Sequence, residues 1–448
     1  MNSIKHSQEN NESQLLIKTF FKQIGLGEII HQINFKRHSL VSPLKLIKWL
    51  ITTIFARKSL YRAQPAVDFT TRTVRNFLND GRINWQKLTC LMTSQVIKVL
   101  RPFIDSRRRF ALIVDDSLFA RPYAKQTELV ARIYDHDKHQ YLRGYRALTL
   151  GWSDANTFLP VNFALMSSRK RKNILGAYPK LDRRTLAGRR RYQAQAKMNQ
   201  VAVDLIRQAI KNHLPAQFVL FDSWYSSPKM FRQVKQLGLD GVGMLKRTKK
   251  AYYRYRGRLY SIKSLYERLR AEKRTTKDQY QYSCVVKSTT GVELRLVFVT
   301  NRRKSDNYLV LATTKTGLRP TEIIQLYARR WQIETYFKTA KQYLRFDQTQ
   351  VQNYDGLCGH LAIVMMTYDL LAWEERQEQD ERTIGDLFYI MSAAMPDLNL
   401  TDILVWFVKI LNELIETEPI IPTQLLKETV DRFIKHLPQV VAKQLQAV

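Results

Sequence analysis

The run Arg107-Arg-Arg-Phe-Ala-Leu-Ile-Val-Asp-Asp116 constrains the fold most. Its apolar stretch has no helical period and is too short for a buried helix, so it reads as a strand covered on both faces. Two aspartates close it, at the end of the strand where functional groups of α/β sheets collect. Two more segments, RALTLGWSD and TFLPVNFALM, flank the turn-like Asp154-Ala155-Asn156, which makes three consecutive strands. An amphipathic helix is predicted over 197–212. It is followed by the buried strand QFVLFD, a helix from near Pro228, and the strand GVGMLK. Strands followed by alternating strand and helix predict a mixed α/β sheet.

Upstream, residues 15–24 and 43–55 read as helices, the second with Ser42 as N-cap and Pro43 at the first helical position. The segment DFTTRTVRNFLNDG offers Thr70 or Thr71 as a cap and Gly81 as a stop, so residues 1 to about 105 are expected to be all-helical. From 246 to 315 the chain turns β-rich, with YQYSCVVKS and VELRLVFVT around Thr289-Thr290-Gly291. Pro320 is expected to open one long helix over 321–344, and the remainder reads as helical. No internal repeat is visible. At 448 residues the chain is long enough for several folded parts.

A content of 45% hydrophobic residues excludes a disordered tail, while 73 Lys+Arg against 39 Asp+Glu leave a formal charge of +34. Such a surplus calls for a polyanion, and release of phosphate counterions favours nucleic acid. An anionic membrane is the weaker alternative, because the basic residues are spread along the chain and the apolar run 361–373 is short and contains Asp369. The start carries no apolar signal core, and Cys90, Cys284 and Cys358 are too few and scattered for a disulfide framework or a Cys-rich zinc site. A cytoplasmic chain is expected. His136 to His139, HDKH, lacks a second ligand pair and reads as a polar turn.

The densest positive segment holds Arg169, Lys170, Arg171 and Lys172, then Lys180, Arg183, Arg184, Arg189, Arg190 and Arg191, opposed only by Asp182. Like charges this close repel unless a polyanion is present, so the run is expected to contact a DNA backbone rather than form a plain solvated loop. The acidic candidates are Asp115 or Asp116 at the end of one strand and Asp222 at the end of another. Carboxylates so placed can converge on one cation, although a strand-end acid is as commonly a turn residue. In YARRWQIETYFKTAK, the residues Tyr327, Arg330, Glu334 and Lys341 recur at intervals that return to one face of a helix. This sets an acid among phosphate-gripping groups; an ordinary solvated face with an Arg330–Glu334 pair is the plainer alternative.

The spacing Tyr-x2-Arg-x3-Glu-x6-Lys resembles the Y-R-E-K signature of a large branch of bacterial insertion-sequence transposases in the DDE superfamily. The resemblance covers roughly residues 105–375. It implies an RNase H-like α/β catalytic core over 106–245 and 316–375, interrupted by a β-rich insertion at 246–315. A helical DNA-binding region would occupy 1–105, and a helical region that pairs subunits would occupy 376–448. It also implies the catalytic, metal-binding triad Asp115, Asp222 and Glu334, with Asp115 preferred over Asp116 because Ser117 follows two positions on. The remaining implications are two Mg²⁺ ions for which Mn²⁺ can substitute, DNA contacts from Tyr327, Arg330, Trp331 and Lys341, a homodimer at synapsis, and a nucleoid-associated bacterial protein. Some relatives stack a flipped base on a Trp of the insertion. This insertion has none, and Tyr252, Tyr253, Tyr255 and Tyr260 are the available rings. A DDE-type nuclease without strand transfer, a domesticated DNA-binding regulator and an RNA-binding module are the alternatives.

Overall fold

The computed structural model describes residues 14–33, 41–60, 63, 68–135, 138–248, 251–272, 280–301 and 304–377. The expected C-terminal helices beyond 377, and His136, lie outside the described residues.

Five helices precede the sheet: α1 (residues 14–23), α2 (Leu26–Gln32), α3 (Pro43–Phe55), α4 (Thr71–Leu78) and α5 (Trp85–Leu100). The Ser42 hydroxyl accepts the Lys45 N–H at 3.3 Å and Pro43 occupies the first turn, which is why α3 starts there. Thr70 precedes α4 but makes no side-chain cap, and the helix stops at Leu78, before Gly81.

The strands are β1 (Ala111–Ala120), β2 (Ala131–Asp135), β3 (Gln140–Ser153) and β4 (Phe158–Met166). After α6 (Leu186–Ala194) and α7 (Met198–Lys211) come β5 (Phe218–Phe221), α8 (Pro228–Gln236) and β6 (Asp240–Met244). The fourteen-residue β3 pairs with β2 through its first residues and with β4 through its last, and β2 is a strand the sequence reading lacked. In the turn between β3 and β4 the Asp154 carboxylate accepts the backbone N–H groups of Asn156 at 2.9 Å and Thr157 at 2.7 Å.

Strands β4, β3 and β1 pair antiparallel, whereas β1, β5 and β6 pair parallel, giving the order β4-β3-β1-β5-β6. The β-rich segment supplies β7 (Tyr252–Tyr255), β8 (Arg258–Ser261), α9 (Ile262–Ala271), β9 (Tyr280–Ser288), β10 (Glu293–Asn301) and β11 (Lys304–Thr313). Gly291 takes φ +85° in the β9–β10 hairpin, where a side chain would be strained. Strand β11 pairs antiparallel with β6, so these strands continue the same eleven-stranded sheet.

The expected single helix after Pro320 is two: α10 (Pro320–Ala328) and α11 (Trp331–Gln342). No Pro or Gly causes the break. Arg329 donates to the Arg109 carbonyl at 2.7 Å and Gln332 to the Ala155 carbonyl at 3.0 Å, so both sides of the break are tied to chain ends beside β1 and β3. The last described helix, α12 (Tyr354–Gln377), is by length and composition apolar enough to cross a membrane, contrary to the expectation from its 13-residue apolar run. Since 94% of its apolar window is buried inside the protein, it is a core helix. It packs on α5, which also covers β4, and Trp85, Trp152 and Trp373 are fully buried. Asp369 on α12 accepts a hydrogen bond from Thr93 at 2.8 Å, and burial pushes its carboxyl well above the usual range.

Candidate active site

Parallel pairing puts Val114 opposite Phe221, so Asp115 and Asp222 follow at the same level on adjacent strands. Alternation along β1 turns Asp115 and Asp116 to opposite faces. Asp116 is braced by ion pairing with Arg146 and by the buried Tyr225 hydroxyl at 2.6 Å. Asp115 instead accepts from Arg330 at 3.0 Å, and the same guanidinium donates to Glu334 at 2.7 Å. The Asp222 carboxylate accepts the Trp224 N–H at 2.8 Å in the turn that follows β5.

A hollow beside these groups is lined by Asp115, Asp116, Arg146, Glu334, Lys341 and Asp347 among others. Asp222 is not among its lining residues. Burial raises the Asp115 carboxyl to about 7, helped by its neighbours Asp116 and Asp222 and opposed by Arg330. Among the described residues, no three His, Cys, Asp or Glu side chains are gathered closely enough to hold an ion. The donor set still fits a hard divalent cation: its groups are carboxylates, and Asp115 and Asp222 repel each other where no metal neutralises them.

A pH dependence follows. A carboxyl raised from an ordinary value near 4 to about 7 contributes its stability fully below pH 4, and that contribution is lost as pH rises through 7. The protein should therefore lose stability across that window, read as a falling melting temperature between pH 5 and 8. In Asp115→Asn most of that fall should vanish. The same fall in both forms would show that Asp115 does not titrate in this window.

The structure separates the residues expected to touch DNA. Arg169, Lys170, Arg171, Lys172 and Arg189 are exposed. Arg190 and Arg191 are buried, at 8% and 6% exposure, and pair with Asp355 and Glu128, so they are internal cations and not free phosphate contacts. Arg330 is also buried, and it is committed to two carboxylates. Trp331 is 61% exposed with the Arg330 guanidinium 5.3 Å from its ring centre, while Tyr327 is partly buried. Because α10 and α11 are separate, Tyr327 and Glu334 do not share one continuous helix. Sequence reasoning missed Arg146 and Tyr225. Arg146 faces Leu118, two residues along β1 from Asp116, so cross-strand pairing could have found it; for Tyr225 the only hint was its place three residues after Asp222.

A large mixed sheet flanked by helices, with Asp115 midway along β1 and Asp222 just past its parallel neighbour β5, makes this a mixed α/β protein. The family model described as DDE superfamily endonuclease matches residues 51–302, more than half of the chain, and the protein belongs to that family. The matched segment contains Asp115 and Asp222 and stops before Glu334. No curated protein matches the chain significantly.

Proposed function

We propose that the protein is a DNA transposase of the Y-R-E-K branch, which cleaves at insertion-sequence ends and joins them to target DNA. The observation that carries this reading is the placement of Asp115, midway along β1 and not at its end as the sequence suggested, beside Asp222, just past the end of the parallel neighbour β5, and its link through Arg330 to Glu334 on α11. The order β4-β3-β1-β5-β6, three strands antiparallel and the last pair parallel to β1, supports an RNase H-like core.

Asp115, Asp222 and Glu334 would hold the divalent cations, Mg²⁺ by preference. Bound there, the ions would supply an activated hydroxyl and a stabilised leaving oxygen. The chain's own residues supply position. Arg146 and Tyr225 engage Asp116, which leaves Asp115 as the acid that meets Arg330. Lys341 lines the hollow beside Glu334 and is suited to a phosphate next to the cleaved bond. The exposed cations at 169–172 and Arg189 would follow the DNA backbone. We further assign DNA binding to residues 1–105 and subunit pairing at synapsis to 376–448, in a cytoplasmic, nucleoid-associated homodimer.

The test is a plasmid carrying the element's ends, incubated with protein, target DNA and Mg²⁺. Joined products are expected. Cleavage without joining would leave a nuclease of the same family, and no cleavage with either Mg²⁺ or Mn²⁺ would refute the reading.

A further inference from the structure

Arg330 stands at the break between α10 and α11, as the N-cap residue of the helix that carries Glu334. Its guanidinium donates one arm to Asp115 at 3.0 Å and another to Glu334 at 2.7 Å. The Nε–H, also buried, has no partner. Only 10% of the Arg330 side chain and 17% of the Asp115 side chain are exposed, so water screens this contact weakly. The fork therefore fills the space between two of the three acids assigned to cation binding.

A guanidinium and a divalent cation cannot share that space. Carboxylate oxygens bridged by a planar fork stand on different nitrogens, whereas Mg²⁺ draws its oxygens to about 2.1 Å from a single centre.

We propose that Arg330 is an internal counter-ion that occupies the cation position between Asp115 and Glu334 in the DNA-free protein and must release both carboxylates before a divalent cation can be held there. The inference rests on the assignment of these acids under Proposed function. It makes Arg330 a positioning residue with two partners in sequence: the carboxylates first, a phosphate afterwards. The forked donor that fits a carboxylate also fits a phosphate, so arrival of DNA offers the guanidinium an equivalent partner as it leaves the acids. The rings of Tyr327 and Trp331, with centres 5.8 and 5.3 Å from the guanidinium carbon, give it a surface to rest on during the exchange. The consequence is protective: DNA-free protein loads metal poorly, and an enzyme that loads metal only beside its substrate does not cut at random.

The experiment is an electron paramagnetic resonance titration of Mn²⁺ into the full-length, DNA-free protein at pH 7.5. Arg330→Gln should bind Mn²⁺ about tenfold more tightly than the unmutated protein, because a competing positive charge is gone. Adding Glu334→Gln to that variant should abolish most of the gain. Unchanged or weaker binding by Arg330→Gln overturns the proposal, since an arginine that merely braces the acids would weaken metal binding when removed. Should Arg330→Gln fail to fold by circular dichroism, Arg330→Lys makes the same comparison. It keeps the charge but loses the fork, with a gain of about threefold expected and no gain overturning the proposal. Mn²⁺ binding that Asp115→Asn abolishes but that Arg330→Gln and Arg330→Lys leave unchanged sinks this inference alone. Absence of Mn²⁺ binding in every form overturns the triad as well.

Discussion

Glu334→Gln is expected to lower Mg²⁺-dependent nicking of element-end DNA by about a thousandfold, roughly 4 kcal/mol of barrier, with DNA affinity unchanged within about twofold. Gln matches Glu in shape and helix propensity, so α11 should persist, and its amide oxygen can still accept from Arg330. What disappears is a full negative charge at a position assigned to hold a cation, and a neutral amide oxygen is a poorer ligand for Mg²⁺. Loss of an acid facing phosphate should, if anything, tighten DNA binding. A gel-shift assay beside a nicking assay reads both quantities. Nicking at the unmutated rate would remove Glu334 from the site, whereas joint loss of binding, nicking and helical circular dichroism would point to misfolding.

Arg191→Ala should destabilise the protein by about 3–5 kcal/mol, the cost of leaving a buried charge without its partner. Arg191 pairs with Glu128 through two nitrogens and with Asp355 at 2.8 Å, and all three residues are buried. Glu128 also accepts the Tyr354 N–H at 2.8 Å, and Arg190 reaches the Ile83 carbonyl at 2.6 Å. The network thus ties α6 to the loop after β1, to the start of α12 and to the turn between α4 and α5. Removing Arg191 strands Glu128 in the interior without an ion-pair partner, whereas Asp355 keeps Arg190, and the effect should appear as a lower urea midpoint. The salt dependence of DNA binding should stay the same, because Arg191 faces no phosphate. A cost below about 1 kcal/mol together with a shallower salt slope would return Arg191 to the DNA surface.

What could be read from the residues was local. The hydroxyl of Ser42 followed by Pro43 marks the start of α3, and both act there as expected. Asp154 followed by Ala155 and Asn156 marks the turn between β3 and β4, because a carboxylate reaches back to the next N–H groups without help from the rest of the chain. Strand β1 was legible as an apolar run, but its polar second half was not: the strand runs on past Asp115 and Asp116 to Ala120, because β3 pairs with it along its whole length. Which of the two faces Glu334 was not legible in the run itself. That depends on Arg146, thirty positions away, and Tyr225, 109 positions away, both of which take Asp116.

The break before α11 shows the same limit. Residues 321–344 contain no Pro or Gly to end a helix, and helical period alone joins Tyr327 to Lys341. The break comes from Arg329 and Arg330, which are drawn toward the Arg109 carbonyl and the Asp115 carboxylate on a distant segment. The triple arginine 189–191 is uniform in sequence, yet successive residues on a helix point about 100° apart. Arg189 meets solvent while Arg190 and Arg191 meet buried acids.

The sequence by itself determined most strands and several caps and turns, because these follow from periodicity and from groups within a few residues of one another. Only the tertiary structure decided which charges meet solvent and which are spent inside the protein. The electrostatic state of a side chain depends on its burial and on partners brought close from far along the chain, and neither is written in its neighbours.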